Sequence, residues 1–149
     1  MRNNTWLTNR LLTIHRNHFV DIVDGNEIEV RFGRCNKTRL GSIVIREKSK
    51  RGRRMEKGRL KNLSADEVVS IITINGHLQN PEIPEEIVDG VLAHEFVHFV
   101  HGFNSMREKR YHLPHYGGII NGELKERSLG DTLKFQKKWL KQNWKKIVK

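Results

Sequence analysis

Apolar residues recur at helical spacing near both ends of the chain, and between them the pattern switches to the shorter period of strands. Over residues 4–19, Trp6, Leu7, Leu11, Leu12, Ile14 and Phe19 approximate one helical stripe, with Arg10, His15 and Arg16 among the polar positions. Asp24-Gly25 is a turn signal. Glu27-Ile28-Glu29-Val30-Arg31-Phe32 alternates polar with apolar, as a half-buried strand does. Gly33 to Leu40 reads as a basic turn and Gly41 to Arg46 as a second strand. The β-branched run Val68-Val69-Ser70-Ile71-Ile72-Thr73-Ile74 predicts a third strand, closed by Asn75-Gly76. Pro81 and Pro84 punctuate the next connection. Pro84-Glu85-Glu86 suits a helix start, because proline fits a first turn and acids favour the positive end of the helix dipole. That helix is predicted to run to His101 and to stop at Gly102. Residues 103–114 read as a loop, and a short helix follows His115. Residues 131–148 form a final helix with Leu133, Phe135, Trp139, Leu140, Trp144, Ile147 and Val148 as apolar positions. The expectation is one α+β domain over residues 1–149, without internal repeats. Its small three-stranded sheet would pack on the N-terminal helix and on the helix ending at His101, with a further C-terminal helix.

Composition narrows the function classes. With 36% hydrophobic and 30% charged residues, no apolar run approaches the roughly 20 residues of a membrane span. The N-terminus lacks the apolar core and cleavage site of a signal peptide. A lone cysteine, Cys35, permits neither an internal disulfide nor a zinc ribbon and fits a reducing, intracellular setting. A cytoplasmic protein is therefore expected, with nucleoid or nucleus left open, and the lack of an apolar span predicts no membrane partner. The formal net charge is +11, which favours a polyanionic partner such as DNA. Much of that excess lies in residues 46–61, read as an exposed basic loop. Lys48, Lys50, Arg51, Arg53, Arg54, Lys57 and Arg59 are its candidate nucleic-acid contacts. The other basic run is the last helix, with Lys134, Lys137, Lys138, Lys141, Lys145, Lys146 and Lys149. Trp139 and Trp144 sit there at helical spacing and are read as core, not as base-stacking platforms.

The densest chemistry is His94-Glu95-Phe96-Val97-His98, an H-E-x-x-H motif inside a predicted helix. Residues four apart share a helix face, so His94 and His98 can bind one Zn²⁺ while Glu95 acts as general base on a water. Val91, Leu92, Phe96, Val97 and Val100 supply apolar surface to bury that helix and hold the ligands still. A catalytic zinc ordinarily takes a third protein ligand. The metzincin spacing would require glycine at 101 and histidine at 104, where the chain has His101 and Asn104. His101 lies about two turns from His94, too far to share its ion. His112, His115, Glu123 and Glu126 remain open by residue type.

With Leu113-Pro114-His115-Tyr116-Gly117-Gly118-Ile119 downstream, the chain resembles the SprT-like metallopeptidases, which include the Spartan and Wss1 type proteases. The family follows H-E-x-x-H with a variable loop and then Pro-His-Gly-x-x-aromatic. Pro114-His115 matches, whereas Tyr116 and Ile119 depart, which keeps His112 in competition. Arg39-Leu40-Gly41-Ser42, and Ile71-Ile72-Thr73-Ile74-Asn75 followed by Pro81, resemble the family's upstream segments, so the likeness covers roughly residues 5 to 125. It implies a zincin-like fold and zinc held by His94, His98 and His115. It also implies a hydrolase that cuts peptide bonds with Glu95 as base, and protein substrates that include DNA-crosslinked ones. Tyr111, His112, Tyr116 and His101 are the candidates by type for steadying an oxyanion. Substrate is expected to add as an extended strand to a sheet edge near the zinc helix, the sequence leaving open which edge. The competing class is a nucleic-acid-binding protein on the same scaffold with little proteolysis. Glu95 argues against it, because a structural metal site needs no base there.

Overall fold

The computed structural model describes residues 1–149 as four helices around a three-stranded sheet. Helix α1 (Asn4–His18) is capped by the Asn3 side chain, which accepts from the Trp6 N–H at 2.9 Å. Strands β1 (Glu27–Phe32), β2 (Gly41–Glu47) and β3 (Val68–Ile74) follow, then α2 (Glu85–Val100), α3 (Ile119–Glu126) and α4 (Gly130–Ile147). The sheet order is β1-β3-β2, with β1 parallel and β2 antiparallel to β3. The central strand is buried at every position except Thr73, which explains why its sequence is a β-branched run without alternation. β2 stands at an edge, and its outer side carries no partner strand.

Helix α2 is the centre of the molecule. α1, α3, α4, β2 and β3 all pack against it. Only Glu85, Glu86, Asp89 and His94 escape full burial along it. Its sequence is accordingly apolar nearly all round instead of amphipathic. Ile87, Val88, Leu92, Phe96, Val97 and Val100 join Leu7, Phe19, Ile72, Ile74, Leu78 and Leu124 in one core cluster. Arg10 grips Asp89 through two bonds of 3.0 and 2.6 Å and fixes α1 on α2. The C-terminus of α2 closes as predicted. Gly102, at φ +85, donates to the Phe99 carbonyl, and the Phe103 N–H reaches the His98 carbonyl at 2.9 Å. That is the Schellman arrangement, and it turns the chain so that Phe103 faces His98.

The segment 46–61 departs from the simple loop expected of it. Its side chains are mostly exposed, but β2 extends through Glu47, and 3₁₀ turns at Lys48–Lys50 and Leu60–Asn62 order both ends. Met55 and Leu60 pack, with Met106, on a second small cluster of Ile45, Leu63 and Val68. Lys48 pairs with Glu27 at 2.9 Å, Arg59 with Glu47 at 2.8 Å and Lys50 with Glu47 at 3.8 Å, and Arg51 pairs with Glu29. Four of its seven candidate contacts therefore already face carboxylates, leaving Arg53, Arg54 and Lys57 without one.

The turn between β1 and β2 is held by one buried side chain. Asn75 Nδ2 donates to the carbonyls of Asn36 at 2.7 Å and Arg39 at 2.8 Å, and its Oδ1 accepts from the His77 N–H at 2.9 Å. Asn75→Ala strands both carbonyls, and it is expected to lower stability by roughly 3 kcal/mol in denaturant titration.

Candidate metal centre

Three imidazoles converge beside α2. His94 and His98 project from adjacent turns of the helix, with ring centroids 5.0 Å apart. His115 arrives from the segment before α3, its ring 5.7 Å from that of His94 and 4.7 Å from that of His98. One ligand atom from each lies within 4.8 Å of the others, and no other group of histidine, cysteine or carboxylate side chains comes together in this way. Three imidazoles are a fitting donor set for a metal ion. Nδ1 of His98 is buried without a hydrogen-bond partner, so the chain does not consume that side of the ring.

Burial prepares the donors. It lowers the pKa of His94, with the neighbouring His115 adding to the effect. It brings that of His98 down to about 4, helped by His94, His115 and His101. Both rings are thus neutral at pH 7 and accept a cation without first losing a proton. The same burial acts oppositely on Glu95, raising its pKa to about 7 against the opposing pull of Arg39. A buried carboxyl group beside three imidazoles that could hold a metal ion is placed to take and return a proton.

A cleft runs over these residues. One lobe of about 470 Å³ is lined by His94, Glu95, His98, His115, Phe103, Asn104, Pro114 and the first residues of β2. A second lobe of about 280 Å³ continues past Thr38, Arg39 and Leu40 to Gly90, Val91 and Gln136 of α4. Gly41 makes the close approach possible, because a Cβ there would meet Val91 Cγ1 at 2.7 Å and Glu95 Oε1 at 3.3 Å. The free edge of β2 therefore forms one wall of the cleft. On the far wall, Ser70 Oγ donates to the Asn104 carbonyl at 2.6 Å, and Asn26 holds both Ser70 and the Met106 N–H.

Other residues singled out by type fall elsewhere. Glu123 is not a ligand: Oε1 takes His101 Nε2 at 2.9 Å and Oε2 takes Arg127 Nε at 2.7 Å. Glu126 and His112 are exposed and outside the trio. His101 is completely buried, so it ties α2 to α3 instead of facing a reacting oxygen. Tyr111 packs on the His101 ring at 4.8 Å, and Tyr116 is 65% exposed and lines neither lobe. Trp139 and Trp144 pack on the core, and Trp144 Nε1 donates to the Lys37 carbonyl at 2.8 Å. Arg39, the β2 edge and Gln136 were not singled out as site residues from the sequence. Their only signal was Arg39-Leu40-Gly41-Ser42, whose meaning depends on the sheet order. No protein-family model, curated protein or solved structure matches this chain.

Replacing each candidate ligand tests the trio directly. His94→Ala, His98→Ala and His115→Ala should each weaken zinc binding, measured by competition with a chromophoric chelator. The loss should exceed the ~10–100-fold that follows removal of an outer-shell partner. Glu126→Ala and His112→Ala should bind as the parent does.

Glu95 gives a second test, in metal-free protein. Its folded pKa is raised, so its ionisation opposes folding as pH rises from about 4.5 to 7. In chelator, Glu95→Gln should stabilise the fold at pH 8 by on the order of 3 kcal/mol. The gain should shrink as pH falls from about 7 to 4.5 and be absent below about pH 4, where the parent carboxyl is protonated in both states, as urea unfolding at pH 8 and at about pH 4 would show.

Proposed function

We propose that the chain is a zinc-dependent endopeptidase of the SprT-like, zincin type, acting on proteins associated with DNA. The observation that carries this reading is the placement of a buried Glu95 beside three convergent imidazoles under a free strand edge. Zinc held by His94, His98 and His115 would supply Lewis acidity and an acidified water. The chain's own residues do the rest. β2 offers unpaired backbone groups along the cleft, to which an extended peptide can add as a fourth strand. Glu95 takes the proton of the attacking water and delivers it to the leaving amine nitrogen. Packing of α2 on every side keeps its ligands from rearranging.

The DNA part of the reading is supported by charge left unopposed. None of the lysines on α4 has a carboxylate within 4 Å, and neither have Arg34, Lys37 and Arg39 of the β1–β2 turn. The Trp144–Lys37 bond brings α4 and that turn together, and Gln136 extends α4 to the cleft. Leu133, Trp139, Leu140, Trp144 and Ile147 of α4 pack on the core while its lysines and Phe135 stay exposed, so this surface attracts mainly by charge.

The deciding experiment is digestion of a DNA-bound basic protein by the zinc-loaded chain, with and without single-stranded DNA, beside Glu95→Gln. Cleavage should rise with DNA and fall by about 100- to 10,000-fold in Glu95→Gln. Salt-sensitive DNA binding with no cleavage in any lane would instead assign the chain to the nucleic-acid-binding class.

A further inference from the structure

Arg39 is the one lysine or arginine in the wall of the cleft, and its side chain makes no ion pair or hydrogen bond with the chain, although its charge is felt by Glu95. It lines both lobes, together with Gly41, His94 and Glu95. Its backbone is fixed, the N–H by Asn36 Oδ1 at 2.9 Å and the carbonyl by Asn75 Nδ2 at 2.8 Å. Its guanidinium forms none of the ion pairs of the molecule. A planar, permanently charged group, exposed on a pinned backbone and lining a groove, is suited to a carboxylate.

The strand order gives that carboxylate a direction. β2 begins at Gly41 beside Val91 and Glu95, and proceeds past Val44 toward the end of the cleft formed by His98, Phe103 and Asn104. A peptide adding antiparallel to β2 runs the opposite way. Its N-terminal part lies near Phe103 and Asn104, and its C-terminal part leaves past Gly41 toward Arg39. We propose that Arg39 is a specificity residue that binds a carboxylate of the substrate, an Asp or Glu side chain, on the C-terminal side of the scissile bond. This rests on the peptidase reading for the bond, but not for the binding. In a basic, DNA-bound protein it selects bonds that are followed within a few residues by an acid.

Two arms test it. In the first, zinc-loaded Glu95→Gln binds fluorescent extended peptides carrying one Asp or one Lys in an otherwise neutral sequence, so that no chemistry is needed. Asp peptides should bind about 10-fold tighter than Lys peptides. The preference should vanish in Arg39→Gln and invert in Arg39→Glu, with zinc content and melting temperature unchanged. In the second arm, a peptide pool is digested by the otherwise native enzyme and the cut sites are read by mass spectrometry. Acids should be enriched after the cut and not before it, and Arg39→Glu should exchange them for Lys and Arg. A charge preference in binding with no cleavage would retain the carboxylate site and remove the peptidase reading. Cleavage or binding indifferent to charge would overturn the inference, as would enrichment before the cut. A fall in kcat and a shifted pH profile in Arg39→Gln, with KM and cut sites unchanged, would also overturn it, because Arg39 would then act through Glu95.

Discussion

The near-complete burial of α2 governs everything around it. Beyond its exposed first turn, a helix wrapped by α1, α3, α4 and two strands cannot expose its polar groups, so those it carries there must be neutral, paired or directed into a cleft. Asp89 is paired with Arg10 and His101 with Glu123. His94, Glu95 and His98 have no such partners, and they are the three that line the groove. One cause, desolvation, lowers the two histidine pKa values and raises that of the carboxyl. The site is assembled by packing more than by hydrogen bonding. It would be costly to keep in this state unless something cationic and something protic shared it.

The hydrogen-bonded chain that starts at His101, just past the C-terminus of α2, and ends at the exposed Asp21 shows the contrast. His101, Glu123, Arg127 and Asp21 form a chain of bonds linking α2, α3 and the turn after α1, and Arg127 also lies over the Phe19 ring at 4.3 Å. Every member except His101 Nδ1 is satisfied. These residues hold the elements that bring His115 to the helix. Two histidines three residues apart thus serve different ends, His98 facing the cleft and His101 the interior, because three residues along a helix turn the side chain by about 300° and the packing differs on the two faces.

Much of this was legible locally. The four helices, the three strands and the Gly102 stop follow from periods and caps within single segments. The pairing of His94 with His98 needs only the pitch of a helix. His115 was not derivable from spacing, since a loop separates it from α2. It was singled out by the Pro114-His115 resemblance, while residue type left Glu123 equally eligible. What removed Glu123 was its pairing with His101 and Arg127, a tertiary fact. The wall of the cleft was hidden for a similar reason. Which strand edge faces α2 depends on β3 lying between β1 and β2, and no local pattern encodes that order. Gly41 gives a hint only once it is known to lie against Glu95.

Charge was the least legible property, because a count of lysines and arginines says nothing about their neighbours. The segment 46–61 has the densest run, yet β1 and β2 supply Glu27, Glu29 and Glu47 to it, and those pairs offset much of its charge while adding little stability. The sparser lysines of α4 meet no acids and so contribute more field per residue. They share a side of the molecule with Lys37, tied to Trp144, and with Arg39 at the cleft. A polyanion drawn there would be held beside the mouth of the groove and not at the far end of β2. Charge density in a sequence is therefore a weaker guide to a binding face than charge left unpaired, and in this fold the unpaired charge borders the cleft that holds His94, Glu95 and His98.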